Sequence, residues 1–266
     1  MTNIYELDAG LIPGTDGPVF AWDDFCKYGT HAVFDVANAQ CWSGGAFSAS
    51  DTIGNAADLP GIDLLVQSTV PAISSPWIEF AGGAGGPDAL RLQRAGATGV
   101  PFFPSGDGSY TDLLFILWME TAAFPASNAG IFGFGRSGAT FTGPGLQMTS
   151  AGVLQDRLVG TTTGITAAVG VPMQVGLHYQ FDSGAGTSSV VTYKNGSPVS
   201  TLTGPNPTTL VQDASSRALL GHYAGNTSGF NGKIGAFVIE EPDASWRTAA
   251  EAVLADFEQR RGTYGV

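Results

Sequence analysis

The sequence predicts an all-β fold, a β-sandwich or jelly roll with one helix at its C-terminal end. Three observations lead to this prediction. Short runs that favour strands recur between turn signals from about residue 60 onward. The Asn-Gly pair at 195–196 lies between two such runs and predicts a two-residue hairpin. The last segment of the chain then changes from a strand pattern to a helical one.

The strand candidates share β-favouring residues and are bounded by Gly, Pro, Asn or Ser. They span 64–70, 75–80, 89–96, 110–121, 128–138, 145–152, 155–162, 172–182, 188–204 (the hairpin), 217–223 and 233–240. Residues 113–119 are apolar on both faces of the pleat, so a central strand covered on both sides is expected there. Within 172–182, alternate residues separate an apolar face from a face that carries Gln174, His178 and Gln180.

The C-terminal segment is predicted to form a helix over 245–261. Its apolar residues recur at spacings of three and four and form one stripe, which consists of Trp246, Ala249, Ala250, Val253, Leu254 and Phe257. Asp243 or Ser245 is expected to cap the start of the helix, and Gly262 is expected to mark its end. The stripe predicts that the helix packs on an outer edge of the sandwich, with Trp246 closing onto it.

Charge is sparse and acidic in this chain. Of 266 residues, 23 are acidic and 11 are basic, so the net charge is −12 and only 13% of residues are charged. A typical soluble domain has about 25% charged residues. The acidic balance argues against a nucleic-acid partner, because duplex DNA would be repelled. The low charge fits either a homo-oligomer whose interfaces cover part of the surface or an ordinary neutral surface.

The first segment, residues 1–60, lacks a sustained period and is predicted to be an arm or docking segment ahead of a main domain at 61–266. The N-terminus has neither the basic region nor the apolar run of a signal peptide, and no apolar run reaches the ~18 residues of a membrane span. We therefore expect a protein made in a cytoplasm, without membrane insertion. Cys26 and Cys41 fit no metal cluster or disulfide framework, so free thiols are favoured, with a single bridge as the alternative.

Four segments match, in order and spacing, the strands of a known family. They are LLFILWME (113–120), IFGFGRSG (131–138), MQVGLHYQFDSGAGTSSVVTYKNGSPV (173–199) and ALLGHYAGNTSGFNGKIGAFVIEEPDAS (218–245). In these segments the chain resembles laminin-G-like domains, a class of concanavalin A-like jelly rolls. The resemblance implies the fold of residues 61–266 as a laminin-G-like β-sandwich. It implies little about function, because the family includes lectins, glycan hydrolases, adhesion modules and structural parts of phage particles.

Catalytic patterns are missing from the sequence. Glycoside hydrolases need two carboxylates that flank the scissile bond, whereas Glu79 stands alone in its strand and the acidic run 240–243 is interpreted as a solvated turn. There is no Gly-x-Ser-x-Gly elbow, and the glycines at 82–86 lack the Lys-Ser/Thr of a phosphate loop. These absences predict a protein that is not an enzyme and carries no cofactor.

A sugar site would combine an aromatic platform with polar neighbours. The predicted glycan-binding residues are His222, Tyr223 and Asn226, which lie at a strand end and in the Gly/Asn loop that follows. Trp118 and Tyr179 also belong to the aromatic pool, but they are interpreted as core residues.

Metal binding has weak support in the sequence. Asp107 and Asp182 are loop acids that could bind calcium, with exposed turn acids as the alternative. The remaining histidines, His31 and His178, lie far apart in sequence and are interpreted as ordinary polar residues rather than catalytic groups or metal ligands.

Two functions stay open on this evidence. The first is a non-enzymatic structural or adhesion protein of a bacteriophage virion, such as a capsid decoration, head-fibre or tail component. In this interpretation residues 1–60 anchor the protein to other virion proteins, the chain forms a homo-oligomer, and the jelly roll faces host-surface glycans. The alternative is a stand-alone carbohydrate-binding module of the lectin type, and a degenerate hydrolase ranks third behind these two.

Overall fold

The computed structural model describes residues 25–26, 29–57, 62–67, 69–84, 89–94, 112–136, 143–182, 185–205, 216–222 and 228–266. Strands dominate these residues, and the C-terminal segment forms a helix, α1 (Ala249–Tyr264). The fold is all-β with a C-terminal helix, which confirms the coarse prediction from the sequence. Within the described ranges, no helix has the length and apolar character needed to cross a membrane.

The described part of the chain contains 16 paired strands. In chain order they are β1 (Thr30–Asp35), β2 (Thr52–Ile53), β3 (Ile62–Val66), β4 (Ala72–Ser74), β5 (Trp77–Ala84), β6 (Leu90–Arg94), β7 (Asp112–Thr121), β8 (Ala129–Arg136), β9 (Gly145–Met148), β10 (Val153–Asp156), β11 (Thr162–Thr166), β12 (Met173–Asp182), β13 (Thr187–Lys194), β14 (Ser197–Pro205), β15 (Ser216–Leu220) and β16 (Ser228–Glu240).

Hydrogen bonds connect all 16 strands into one continuous sheet, which divides at a single residue pair into two parts, called here the first sheet and the second sheet. The first sheet runs β14-β13-β12-β7-β16. Along its other edge β16 pairs with β1 and with β5, and β5 pairs with β4. The second runs β11-β10-β9-β8-β15-β6-β3-β2. One parallel pair, Gly229 with Gly130, joins β16 to β8 and links the two sheets. Because β16 pairs with β5 through 228–234, it begins at Ser228, earlier than the predicted start at 233.

The main core lies between the two sheets. Phe115 and Phe237 of the first sheet contact Phe132 of the second, with ring centroids 5.2 and 5.5 Å apart. Every residue of 113–119 on β7 is buried, because the second sheet covers one face and α1 covers part of the other. The prediction of a central strand covered on both sides is therefore confirmed, and so is the core assignment of Trp118 and Tyr179, each 0% exposed.

The Asn-Gly hairpin forms as predicted. Lys194 pairs with Ser197 across the turn, and Asn195 and Gly196 have φ angles of 49° and 79°. Positive φ at both positions is the requirement of a type I′ turn, whose twist matches that of the strands it joins.

The bounds of the helix differ from the prediction. Thr248 is its N-cap and forms a capping box with Glu251, and Gly265 ends it in the left-handed region at φ 75°. Asp243 instead accepts a hydrogen bond from the backbone N–H of Ser245 at 2.6 Å in a separate turn before the helix. The reciprocal Thr-Glu pair satisfies two N-terminal donors at once, which places the start after this turn. The helix also continues past Gly262, because Tyr264 is anchored in the protein interior.

The face that α1 buries also differs from the predicted apolar stripe. Trp246 is 41% exposed and Leu254 is 49% exposed, whereas Asp256 and Arg260 are buried. Asp256 accepts hydrogen bonds from Nε1 of Trp118 and Nε2 of Gln174, both at 2.7 Å, and pairs with Arg260. Buried polar groups of the sheet thus select the helix face, since each would be costly to leave without a partner.

Part of the predicted N-terminal segment belongs to the sheet. Residues 30–35 form β1, which pairs with β16 beside the centre of the first sheet. Cys26 and Cys41 are free thiols, as the sequence favours. Residues 1–24 lie outside the described residues, so the docking role of this segment stays a prediction.

Candidate functional site

An open cleft of about 950 Å³ lies at one end of the first sheet. Three separate segments line it: the start of β1, the paired ends of β7 and β12, and the connection from β16 to α1. The lining residues are Gly29, His31, Asp112, His178, Gln180, Glu241, Pro242, Asp243, Ala244, Trp246, Thr248 and Ala249. The cleft combines titratable, amide and aromatic side chains in one concave surface, which is the general form of a ligand site.

The register of the sheet brings these segments together. Asp112 pairs with Gln180, and Leu114 pairs with both His178 and Glu240. Neighbours across and along the strands share a face, so Asp112, His178 and Gln180 project from one side of the sheet. This is the side that α1 covers farther along β12, where Gln174 is fully buried. The cleft opens beside the start of α1, where the helix no longer covers this side of the sheet.

His31 reaches the cleft through a β-bulge. Thr30 pairs with Glu240, whereas Ala32 pairs with Ile239, so His31 is the extra residue on β1. A bulge re-aims the side chain of its extra residue and is frequent at strand ends beside functional sites. Nε2 of His31 lies 3.4 Å from Oε2 of Glu241, the residue that follows β16.

A second histidine–carboxylate pair lies on β12 and β7. Nε2 of His178 is 2.7 Å from Oδ1 of Asp112, and Nε2 of Gln180 donates to the same oxygen at 3.2 Å. The His178 side chain is 11% exposed and that of Asp112 is 30% exposed. The carboxylate is thus oriented from two sides while part of it faces solvent.

Trp246 supplies an aromatic surface at the rim of the cleft. It lies in the turn before α1, where its backbone N–H donates to the carbonyl of Asp243 at 3.1 Å. Gly29 lets the chain pack closely here, because a Cβ at that position would lie 2.2 Å from the Glu241 carbonyl oxygen and 2.9 Å from Nε1 of Trp246. The indole is thereby held in place while 41% of the residue stays exposed.

The electrostatics of the cleft are dominated by carboxylates. Asp112, Glu241 and Asp243 line it, and none of the described lining residues is a lysine or an arginine. Burial lowers the pKa of His31 below its ordinary value of 6.5, against the opposing effect of Glu241, and thereby favours the neutral imidazole. A hydrogen bond from the Ser245 backbone lowers the pKa of Asp243 and keeps that carboxylate ionised.

A smaller cavity of about 380 Å³ adjoins the cleft and shares Asp112 and Gln180 with it. Asp182, one of the two calcium candidates, lines this cavity and accepts a hydrogen bond from the Ala185 N–H at 2.9 Å. Among the described residues, no three His, Cys, Asp or Glu side chains are grouped to hold a metal ion. Asp107 lies outside the described residues, so calcium binding stays a prediction.

The predicted glycan-binding residues do not line the cleft in the described part of the chain. His222 is half-buried and lies two residues after β15 of the second sheet, and Tyr223 and Asn226 lie outside the described residues. Sequence reasoning also missed His31, Asp112 and Trp246. A tryptophan three residues after an acidic turn residue, Asp243, could have indicated a ligand site. The apolar spacing of the helix instead led to the prediction that Trp246 packs against the sheet.

No family model matches the chain, and no curated protein matches its sequence. The fold does match solved structures of Trypanosoma rangeli sialidase. In complex with 2,3-difluoro-KDN, the sialidase has a TM-score of 0.58 and 11% identity, over 96% of this chain and 38% of the sialidase. In complex with sialic acid, the TM-score is 0.56 at 12% identity, over 88% of this chain and 33% of the sialidase.

The chain spans only about a third of the length of these sialidases. A sialidase mutant that displays trans-sialidase activity matches similarly, with a TM-score of 0.53, 14% identity, 90% of this chain and 34% of that chain. All three structures are of Trypanosoma rangeli sialidase, so they support a sheet-rich β fold and leave the phage assignment a prediction.

The prediction that the chain is not an enzyme is wrong. It rested on missing sequence motifs and on a family with many non-catalytic members, whereas the solved structures that share its fold over 96% of its length are enzymes. At 11% identity the likeness shows the fold alone, so it assigns no activity to any residue here.

Proposed function

We propose that the protein binds carbohydrate in the cleft beside Trp246. The observation that carries this proposal is the combination of an exposed tryptophan with two histidine–carboxylate pairs in one open cleft. Sugars present both apolar C–H faces and hydroxyl groups, and sites for small ligands join apolar or aromatic surface with a few oriented polar groups. The likeness to sialidase adds support at the level of fold alone.

The proposed mode of binding assigns a role to each part of the cleft. The indole of Trp246 packs against a C–H face of the sugar, since a tryptophan combines a large apolar surface with low conformational entropy. Asp112 accepts hydrogen bonds from sugar hydroxyls, and its hydrogen bonds to His178 and Gln180 hold it in one orientation before the ligand arrives. Glu241 and Asp243, in the connection from β16 to α1, provide further acceptors. Pre-organised groups lose little entropy on binding.

We also propose that the fold is a concanavalin A-like jelly roll of the laminin-G-like class. Support comes from the order of the four sequence segments, the Asn195–Gly196 hairpin and the C-terminal helix. Lectins are among the members of that class, which is consistent with a sugar site.

We further propose that the protein is a component of a bacteriophage virion. Its support is the sequence alone: sparse charge and an N-terminal segment suited to docking. Mass spectrometry of purified virions tests it directly, and absence of the protein from particles contradicts it. Homo-oligomerisation is tested by light scattering, where a monodisperse monomer at high concentration contradicts it.

The sugar-binding proposal is tested with a glycan array followed by calorimetric titration of the strongest ligands. We expect binding by the wild-type protein and loss of most of the affinity, about tenfold or more, in Trp246→Ala. Leu254→Ala is the matched control, because Leu254 is an exposed apolar residue of α1 outside the cleft lining. Equal loss in both variants, or no glycan bound by the wild type, contradicts the proposal.

A further inference from the structure

We infer that the cleft selects sugars by charge: it binds an amino sugar with a free, protonated amine in preference to the N-acetylated sugar, and it excludes sugars that carry a carboxylate. This inference rests on the proposed glycan site and specifies its ligand class. It is carried by the charges that line the cleft, by the exposed indole in the same lining, and by the buried position of Arg247.

The charges that line the cleft have one sign. Asp112, Glu241 and Asp243 are carboxylates, and the described lining contains no lysine or arginine to offset them. A fourth acid, Glu251, lies just beyond the lining, where its Oε2 accepts hydrogen bonds from the backbone N–H and the hydroxyl of Thr248. A cleft with walls of one charge concentrates the field of that charge on its ligand.

The nearest arginine points away from the cleft. Arg247 is adjacent to Trp246 in sequence, but its side chain is buried, where it pairs with Glu240 and donates from Nη1 to the Phe25 carbonyl at 2.8 Å. Its charge is compensated inside the protein, because the buried Glu240 carboxylate takes two of its donors. Among the described residues that line the cleft, there is thus no lysine or arginine to receive an anionic sugar.

Trp246 gives the cleft a second means of holding a cation. The face of an indole attracts an ammonium group through its quadrupole, and tryptophan is the strongest of the aromatic residues in this respect. Asp243 lies in the same turn, so an amine over the indole would also meet a carboxylate acceptor. An ammonium has three donors and no acceptor, which matches a site rich in carboxylate oxygens. N-acetylation removes the charge, and a sugar carboxylate adds repulsion.

The test compares three oligosaccharides of equal length by calorimetry: a glucosamine oligomer, its N-acetylated counterpart and a uronic-acid oligomer. The pH is chosen so that the amines are protonated and the carboxylates are ionised. We expect the glucosamine oligomer to bind at least about tenfold more tightly than the N-acetylated one, and the uronic-acid oligomer not to bind. The preference should weaken as salt is raised, since exposed charges are screened.

Two variants decide whether the cleft is responsible. The double substitution Asp243→Asn with Glu241→Gln removes two charges of the lining and keeps the shape, and we expect it to reduce glucosamine-oligomer binding about tenfold or more. Glu258→Gln removes a charge from an exposed position on α1 outside the cleft, and we expect no effect. An equal loss in Glu258→Gln indicates attraction to the net charge alone and overturns the inference.

The outcomes separate the inference from the proposed function. If the N-acetylated or uronic-acid oligomer binds as tightly as the glucosamine oligomer and depends on Trp246, the charge inference is overturned and the sugar site stands. If glucosamine-oligomer binding is unchanged in Trp246→Ala and in the double variant, both are overturned. If none of the three oligomers binds, the charge inference is overturned, and the glycan array decides the sugar site.

Discussion

Arg260 near the end of α1 donates a hydrogen bond from Nε to Oδ2 of Asp35 at the end of β1, at 3.0 Å across 225 positions of the chain. Both side chains are buried, and the hydroxyl of Tyr264 donates to the other oxygen of Asp35 at 2.8 Å. Arg260 also pairs with the buried Asp256. This cluster of Asp35, Asp256, Arg260 and Tyr264 joins the first described strand to the last helix and fixes the helix against the sheet.

Asp35→Ala should therefore destabilise the protein strongly. The change leaves Arg260 and the Tyr264 hydroxyl in the interior with one partner fewer, and breaking a buried pair costs about 3–5 kcal/mol. Glu258→Ala is the control, because Glu258 pairs with Arg261 at 2.8 Å with both side chains 51% exposed. Such a surface pair contributes about 0–1 kcal/mol. Urea denaturation measures both, and equal losses would contradict a structural role for the buried cluster.

Two glycines near the C-terminal helix should respond in opposite directions to alanine. A Cβ at Gly235 on β16 would lie 2.2 Å from the ring of Tyr264, whereas a Cβ at Gly262 has no atom within 4 Å outside the helix itself. We expect Gly235→Ala to destabilise by about 1–3 kcal/mol through overpacking. We expect Gly262→Ala to stabilise by up to about 1 kcal/mol through helix propensity. Thermal unfolding compares the two, and stabilisation by both would contradict the close approach of Tyr264 to β16.

Tyr179→Phe should destabilise the core in a way that depends on pH. The Tyr179 hydroxyl donates to Oδ2 of Asp156 at 2.5 Å, and burial raises the pKa of this carboxyl. The hydrogen bond favours the ionised carboxylate, so its contribution is present above the pKa of Asp156 and lost as the pH falls through it. We expect a loss of about 1–3 kcal/mol at neutral pH. Denaturation at several pH values tests this, and a loss that does not shrink in acid would contradict it.

The protonation of His31 should weaken the folded state in mild acid. Burial holds its pKa below the ordinary 6.5, so the unfolded chain binds the proton first as the pH falls. The free energy of unfolding should then decrease below about pH 6.5, with a slope of at most about 1.4 kcal/mol per pH unit from this group. His31→Gln should remove this component. NMR titration measures the pKa directly, and a value above 6.5 would contradict the prediction.

The same titration should alter the cleft. His31 faces Glu241, and the cleft also contains Asp112, His178 and Asp243, so a proton on His31 adds a positive charge among three carboxylates. Binding of a cationic oligosaccharide should weaken as the pH falls through the pKa of His31. The calorimetric series above, repeated over pH with wild type and His31→Gln, measures the change as the ratio of the two affinities, because protonation of the sugar amine affects both proteins equally. A wild-type affinity that does not fall relative to that of His31→Gln in acid would contradict it.

Local sequence was enough to predict the features that depend on neighbours along the chain. The turn at Asn195–Gly196 followed from backbone preferences for positive φ, and the central strand 113–119 followed from its unbroken apolar run. The presence of a C-terminal helix followed from a periodicity that needs no knowledge of its partner. The all-β class followed from the same short-range signals.

Only the tertiary structure determines which side chains from distant parts of the sequence lie next to one another. Trp246 had the spacing of a core residue, yet the buried Asp256, Arg260 and Tyr264 set the rotation and start of α1 and leave the indole at the cleft. The cleft itself joins residues 29–31, 112, 178–180 and 241–249, which only the pairing of four strands and a bulge at His31 bring together. Sequence patterns report local preference and burial, whereas the register between distant strands and the desolvation of charges depend on the assembled fold.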